Sequence, residues 1–145
     1  MPTITELNLE PDVAAKAREL LASHPGVVFT SGRRTVAQQA RAMSSNVLLN
    51  RRYIGATYRD SAVIRLMQQW VDTHPEAKTL TALTVGLNRI LRAVPEGELS
   101  HISLHLVGRA FDVAPGSCPE QAIRDLKPTV FLTHEGGLTR WHAQW

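Results

Sequence analysis

The feature that most restricts what this chain can fold into is a single change of hydrophobic period near Pro95. Upstream of it, apolar residues recur at helical spacing. Val13, Ala17, Leu20 and Leu21 mark a helix over Asp12–Ser23, opened by Pro11 and Asp12 and stopped by Pro25-Gly26. Thr35 and Gln38 have the spacing of a capping box, so a second helix starts there and runs to about Leu49. Asn50–Tyr58 reads as a basic loop, after which Asp60 caps a third helix carrying Val63, Leu66, Met67, Trp70 and Val71. His74-Pro75 ends it, and a fourth helix over Leu80–Val94 aligns Leu83, Leu87, Ile90, Leu91 and Val94. One early strand, Val27–Ser31, is short and β-branched. Beyond Pro95 the segments Leu99–Leu106, Ala110–Ala114, Thr129–His134 and Arg140–Trp145 read as strands. A helix at about Pro119–Leu126, with Ser117 and Glu120 as its capping box, interrupts them. Helices first and mostly strands afterwards, without regular alternation, predict an α+β fold with an antiparallel sheet.

At 145 residues the expectation is one domain spanning 1–145, because either half alone would bury little surface. Cys118 is the sole cysteine, which excludes a disulfide framework and a Cys-rich zinc finger and leaves any metal to histidine and carboxylate. Sixteen Lys and Arg against thirteen Asp and Glu give a net charge of +3, a mild bias toward an anionic partner. The arginines are not interleaved with aromatics as in base-stacking sheets, so nucleic acid is not the expected partner. The opening MPTITELNLEPD lacks a basic n-region and an apolar h-region, and no run of about 18 apolar residues occurs. Synthesis in the cytoplasm, without a signal peptide or membrane insertion, is the expectation.

Six histidines are present, four of them after Pro95. His24 and His74 sit in Ser-His-Pro and Thr-His-Pro contexts at helix ends, where a cation suits the carbonyl-rich terminus, and both read as structural. The segment Ser103–Asp112 is different. If Gly108-Arg109 is a two-residue turn, His105 faces Asp112 across a hairpin with Cβ atoms about 4.5–5.5 Å apart. Such a pair is either a cross-strand hydrogen bond or two ligands of one metal ion, and a catalytic zinc needs a third. The tail supplies candidates: His134 and Glu135 before Gly136-Gly137, and His142 after it. His142 can complete a His, Asp, His set, with Glu135 as a general base across a second hairpin. His101 and His134 are rivals for the metal, although His134, next to Glu135, points to the opposite face of a regular strand.

Ser103-x-His105-x-x-Gly108-x-Ala110-x-Asp112, followed by Trp141-His142-x-Gln144, resembles the zinc D-Ala-D-Ala carboxypeptidases and the related L-alanyl-D-glutamate endolysins of phages. Ser31-Gly32-Arg33-Arg34-Thr35, with Gln38 following, is similar to that family's Ser-Gly-x-Arg-Ser/Thr element, so the resemblance covers Ser31–Gln144. It implies helices on one face of a small sheet that carries a single zinc ion, as in the hedgehog-like relatives. It implies His105, Asp112 and His142 as zinc ligands, Glu135 as the base, Arg34 on a substrate carboxylate or carbonyl, and Ser103 orienting peptide or ligand. Arg33, one residue earlier, faces solvent on this reading. Two departures stand out: Arg140 replaces the first histidine of a His-Trp-His ending, and Glu135 lies further from His142 than the family's usual spacing. Arg140 offers a fixed cation for a developing oxyanion but no proton. The implied activity is hydrolysis of an amide bond in peptidoglycan stem peptides, by carboxypeptidase or endopeptidase action. Cell-wall lysis follows, after release by a phage holin or as a virion component. The alternative is a catalytically impaired, zinc-stabilised wall-binding domain. The Arg51–Tyr58 loop, with Tyr53 and Tyr58, is the expected wall of the substrate cleft.

Overall fold

The computed structural model describes residues 2–145. In chain order its elements are α1 (Pro11–Ser23), β1 (Phe29–Ser31), α2 (Val36–Leu49), α3 (Tyr53–Thr57), α4 (Ala62–Thr73), α5 (Leu80–Leu91), β2 (Ala110–Val113), α6 (Glu120–Arg124), β3 (Val130–Glu135) and β4 (Leu138–Gln144). Two 3-10 turns, Glu96–His101 and Leu104–Val107, lie between α5 and β2. The class is α+β, with one four-stranded antiparallel sheet in the order β1-β2-β4-β3 among the described residues. The chain forms two compact units: the segment ending at Arg33 together with Val107–Trp145, and Arg34–Leu106.

In the sheet unit, alternation along the central strands gives the sheet two unlike faces. Phe111, Val113 and Ala143 are fully or almost fully buried, in one cluster with Phe29 of β1, Val13, Ala17 and Leu20 of α1, and Ile123 and Leu126 of the α6 region. Between them, Asp112 and His142 point the other way, directly opposite one another in the β2–β4 ladder. Gly136 and Gly137, both at positive φ (57° and 82°), close the β3–β4 hairpin, a two-residue turn whose backbone twist suits a hairpin and which side chains resist.

The helical unit follows the predicted spacing closely. Thr35 Oγ1 accepts from the Gln38 N–H (3.1 Å) while Gln38 Oε1 accepts from the Thr35 N–H (2.9 Å), completing the capping box of α2. The inward stripes are Ala40, Met43 and Val47 on α2, Ile64, Met67 and Val71 on α4, and Leu83, Leu87 and Leu91 on α5. His74 is structural as expected: Nδ1 bonds the Trp70 carbonyl at 2.7 Å, and its ring stacks on Trp70 with centroids 4.4 Å apart.

Several local expectations are corrected. Ser61, not Asp60, caps α4, its side chain accepting from the Ile64 N–H; Asp60 instead pairs with Arg65 at 2.8 Å. Ser117 does not cap α6, because its hydroxyl is engaged between the Val28 N–H and the Ala114 carbonyl. The basic stretch before Tyr58 is not a plain loop: it contains α3, with Tyr53 only 1% exposed. There Arg51 donates to the carbonyls of Val71, His74 and Ala77, at and just beyond the C-terminus of α4. Leu99–Leu106 is not a strand but 3-10 turns. The reason lies in the sheet: β2 is flanked by β1 and β4, so neither of its edges is free for a hairpin with the preceding segment. Gly108 is therefore not a hairpin turn. It has φ +72°, its carbonyl accepts from the Glu10 N–H at 2.9 Å, and a Cβ there would meet Arg33 Nη2 at 2.5 Å. Arg33 is likewise not a free solvent-facing side chain. Its guanidinium donates to the Asn8 carbonyl (2.8 Å) and to Glu10 Oε1 (2.7 Å).

Gly108→Ala is thus expected to destabilise the protein by about 1–2 kcal/mol for the left-handed backbone alone, and further through displacement of Arg33. Urea denaturation compared with the wild type checks it; an unchanged midpoint would refute the packing described.

Candidate metal centre

The site is built on the polar face of the sheet. Because Asp112 and His142 are cross-strand partners, their side chains rise side by side, and His142 Nδ1 lies 2.9 Å from Asp112 Oδ1. On its far side, His142 Nε2 bonds Gln144 Oε1 at 2.8 Å. Ser31 Oγ donates to the other carboxylate oxygen, Asp112 Oδ2, at 2.6 Å. His142 is 6% exposed. Glu135 arrives from the end of β3, with Oε1 3.7 Å from His142 Nδ1, so the second-hairpin approach of Glu135 and His142 is present.

His105 reaches the group by another route than the predicted hairpin. It is buried on the Leu104–Val107 turn. Ser103 Oγ accepts from the His105 N–H at 3.3 Å, and the His105 carbonyl accepts from the Arg34 N–H at 2.9 Å. His105, Asp112 and His142 each offer one ligand atom, all within 4.8 Å of one another. Among the described residues this is the one such group of three or more metal-binding side chains.

The residues fit a single ion. An ion bonded at about 2.0–2.2 Å to two imidazole nitrogens and a carboxylate oxygen requires those atoms a few ångströms apart, and this donor set suits zinc. Burial also removes the competing water. Two non-ligand acceptors and donors, Gln144 and Ser31, hold the ligand side chains from behind, as outer partners commonly do in metal sites. The group can therefore hold a metal ion.

The electrostatics of the cluster agree. Burial on its own pushes the pKa of His142 down, but the hydrogen bond and charge of Asp112, the charge of Glu135 and the bond to Gln144 together raise it above 6.5. The protonated ring donates from both nitrogens to two waiting acceptors, Asp112 Oδ1 and Gln144 Oε1.

The remaining predicted residues are placed as follows. Arg34, on the helical unit, donates from Nη1 to Gln39 Oε1 at 3.2 Å; Gln39 is fully buried and donates in turn to the Tyr58 hydroxyl at 3.1 Å. Arg140 donates from Nη1 to the neighbouring Thr139 carbonyl. The rivals stay outside the cluster: His134 is exposed and bonds Thr133 Oγ1 at 3.1 Å, and His101 is exposed on its own turn. Ser31, Gln144 and Gln39 were not assigned these contacts on sequence. Gln144 had a readable signal, standing two residues along β4 from His142 and hence on the same face; Ser31 and Gln39 depend on long-range placement.

No helix among the described residues is long and apolar enough to cross a membrane. No protein family, curated protein or solved structure matches the chain.

In the metal-free protein a raised His142 pKa means that protonation favours the fold. That contribution is full below the ordinary histidine value of 6.5 and is lost as pH rises through the raised value. Denaturation of chelator-treated wild type and His142→Gln from mildly acid to mildly alkaline pH should show the wild type's advantage shrinking as pH rises; a constant difference would contradict the Asp112–His142 pairing.

Proposed function

We propose that this chain is a zinc-dependent hydrolase of an amide bond in peptidoglycan stem peptides. The observation that carries the reading is the meeting of Glu135 and Asp112 at one nitrogen of a buried histidine, beside His105. A ligand trio alone is compatible with a purely structural ion. A further carboxylate facing the same point is what amide hydrolysis adds to it. The resemblance of Ser103–Asp112 and Ser31–Thr35 to the peptidoglycan metallopeptidases supplies the substrate class.

His105, Asp112 and His142 would hold the ion. When bound, zinc supplies Lewis acidity toward a carbonyl and lowers the pKa of water to about 7. Glu135 takes a proton from the attacking water and returns it to the leaving amine. The 3.7 Å separation of its Oε1 from His142 Nδ1 supports this role. Arg34 binds the carboxylate or carbonyl of the peptide, and Gln39, itself held by Tyr58, fixes the direction of the guanidinium. Ser103 steadies the turn that presents His105, and Arg140 contributes a cation near the end of the β3–β4 hairpin for a developing oxyanion. The wall is the place of action in this proposal, reached after holin release or as part of a virion, with no role for nucleic acid.

Purified peptidoglycan digested with the protein, with chelator and with zinc restored, tests the proposal by mass spectrometry. New fragments that vanish with chelator and return with zinc are expected, and their termini identify the bond. Absence of fragments with zinc still bound and the wall still retained would replace hydrolysis with a zinc-stabilised wall-binding domain. Two variants separate the roles. Glu135→Gln should lower turnover by at least about 100-fold, the scale of general base catalysis, while retaining zinc. His142→Ala should lose the metal, and full zinc stoichiometry in that variant would reject the ligand set.

A further inference from the structure

We infer that Ser31 and Gln144 are positioning residues that select which atoms of Asp112 and His142 face the metal, and that a slip in strand register exists to bring Ser31 there. The inference rests on the metal centre proposed above and goes beyond it, because neither residue is a ligand or a base.

The register shows why Ser31 needs a special device. Phe29 pairs with Val113, and both side chains lie in the apolar cluster. In a regular antiparallel ladder the next same-face pair would set Ser31 opposite Phe111, with its hydroxyl among the core side chains. The observed partner is Asp112: β1 advances two residues, Phe29 to Ser31, while β2 moves back one, Val113 to Asp112. An extra residue of this kind reverses the alternation beyond it and re-aims the side chain that follows. Ser31 is thereby moved from the core face to the polar face. There its hydroxyl meets Asp112 Oδ2 at 2.6 Å.

The chemical result is a division of labour within one carboxylate. Oδ2 is engaged by Ser31, while Oδ1 is the atom beside His142 Nδ1. Asp112 is thus set to bind through one oxygen. Gln144 does the same for the imidazole. The β2–β4 ladder is regular from Ala110–Gln144 to Asp112–His142, so Gln144 and His142 share a face, with Ala143 buried on the other. When the ring is neutral, an Nε2–H donated to Gln144 Oε1 leaves the lone pair on Nδ1, the nitrogen that faces Asp112 and Glu135. A neutral amide fixes this tautomer without adding a negative charge to the cluster.

Zinc affinity measured by competition with a chromophoric chelator tests the inference without reference to turnover. Ser31→Ala and Gln144→Leu are each expected to weaken zinc binding about 10–100-fold, with circular dichroism unchanged. Ser31→Thr and Gln144→Glu, which keep a donor and an acceptor respectively, should stay within a few-fold of wild type. Nitrogen-15 NMR of the zinc-loaded wild type provides a reading independent of any variant: His142 should carry its proton on Nε2. Wild-type affinity in Ser31→Ala and Gln144→Leu, or a proton on Nδ1 in the loaded protein, would overturn the positioning role alone. Failure of the wild type to bind zinc would overturn the metal centre and this inference together.

Discussion

Asp112 and His142 face each other across the β2–β4 ladder with the imidazole almost wholly removed from water. Burying a carboxylate beside an imidazole is unfavourable unless each lone pair and each N–H finds a partner. The surrounding structure supplies them one by one: Ser31 on Asp112 Oδ2, Gln144 on His142 Nε2, and Glu135 beside His142 Nδ1. The opposite face of the same strands has the reverse task. Phe111, Val113 and Ala143 anchor β2 and β4 in an apolar cluster, so the strands cannot shift register without moving phenylalanine toward water. The polar pair is held in place largely by residues that never touch it.

The hairpin β3–β4 contributes a second irregularity. Between the pairs Leu132–His142 and His134–Thr139, β3 advances two residues and β4 three, so Arg140 and Trp141 together oppose Thr133. Bulges are frequent beside functional groups because they turn one side chain without disturbing the rest of a strand. In this hairpin Glu135 approaches His142 while His134 remains exposed. Regular alternation already separates the two neighbours; the bulge, with the turn at Gly136-Gly137, governs how far along β4 the Glu135 carboxylate reaches.

Much of this was legible in the sequence, and the parts that were not have a common cause. The helices α1, α2, α4 and α5 announce themselves because burial stripes and capping boxes are local, as Thr35 with Gln38 and Leu83 with Leu87 show. The three candidate ligands were legible from residue type, spacing and resemblance. The geometry that joins them was not: a hairpin through Gly108 is locally reasonable, but it fails because β1 and β4 already occupy both edges of β2. Competition for an edge is a property of the whole sheet. Asp60 and Ser117 were misread for a related reason, since a side chain that can cap can equally bond elsewhere, to Arg65 or to the Val28 N–H. The contact of Ser31 with Asp112 depends on a register slip between segments 81 positions apart, and no local pattern carries that.

That separation also shapes the order in which the molecule can assemble. Arg34–Leu106 is an unbroken stretch of chain whose helices pack on one another, whereas the sheet unit is assembled from two stretches that flank it. During synthesis the helical stretch emerges complete while β1 still has no partner. Only when β2 and then β4 have been made can the sheet form, and the eighteen residues from Pro128 to Trp145 bring both β3 and β4. Contacts of long sequence separation close slowly, because the loop entropy must be overcome before the pairing energy returns it. The candidate ligands Asp112 and His142 stand on these late strands and are therefore among the final features to be placed. A group that can hold a metal ion is therefore complete only once β4 has been made, well after the helical stretch.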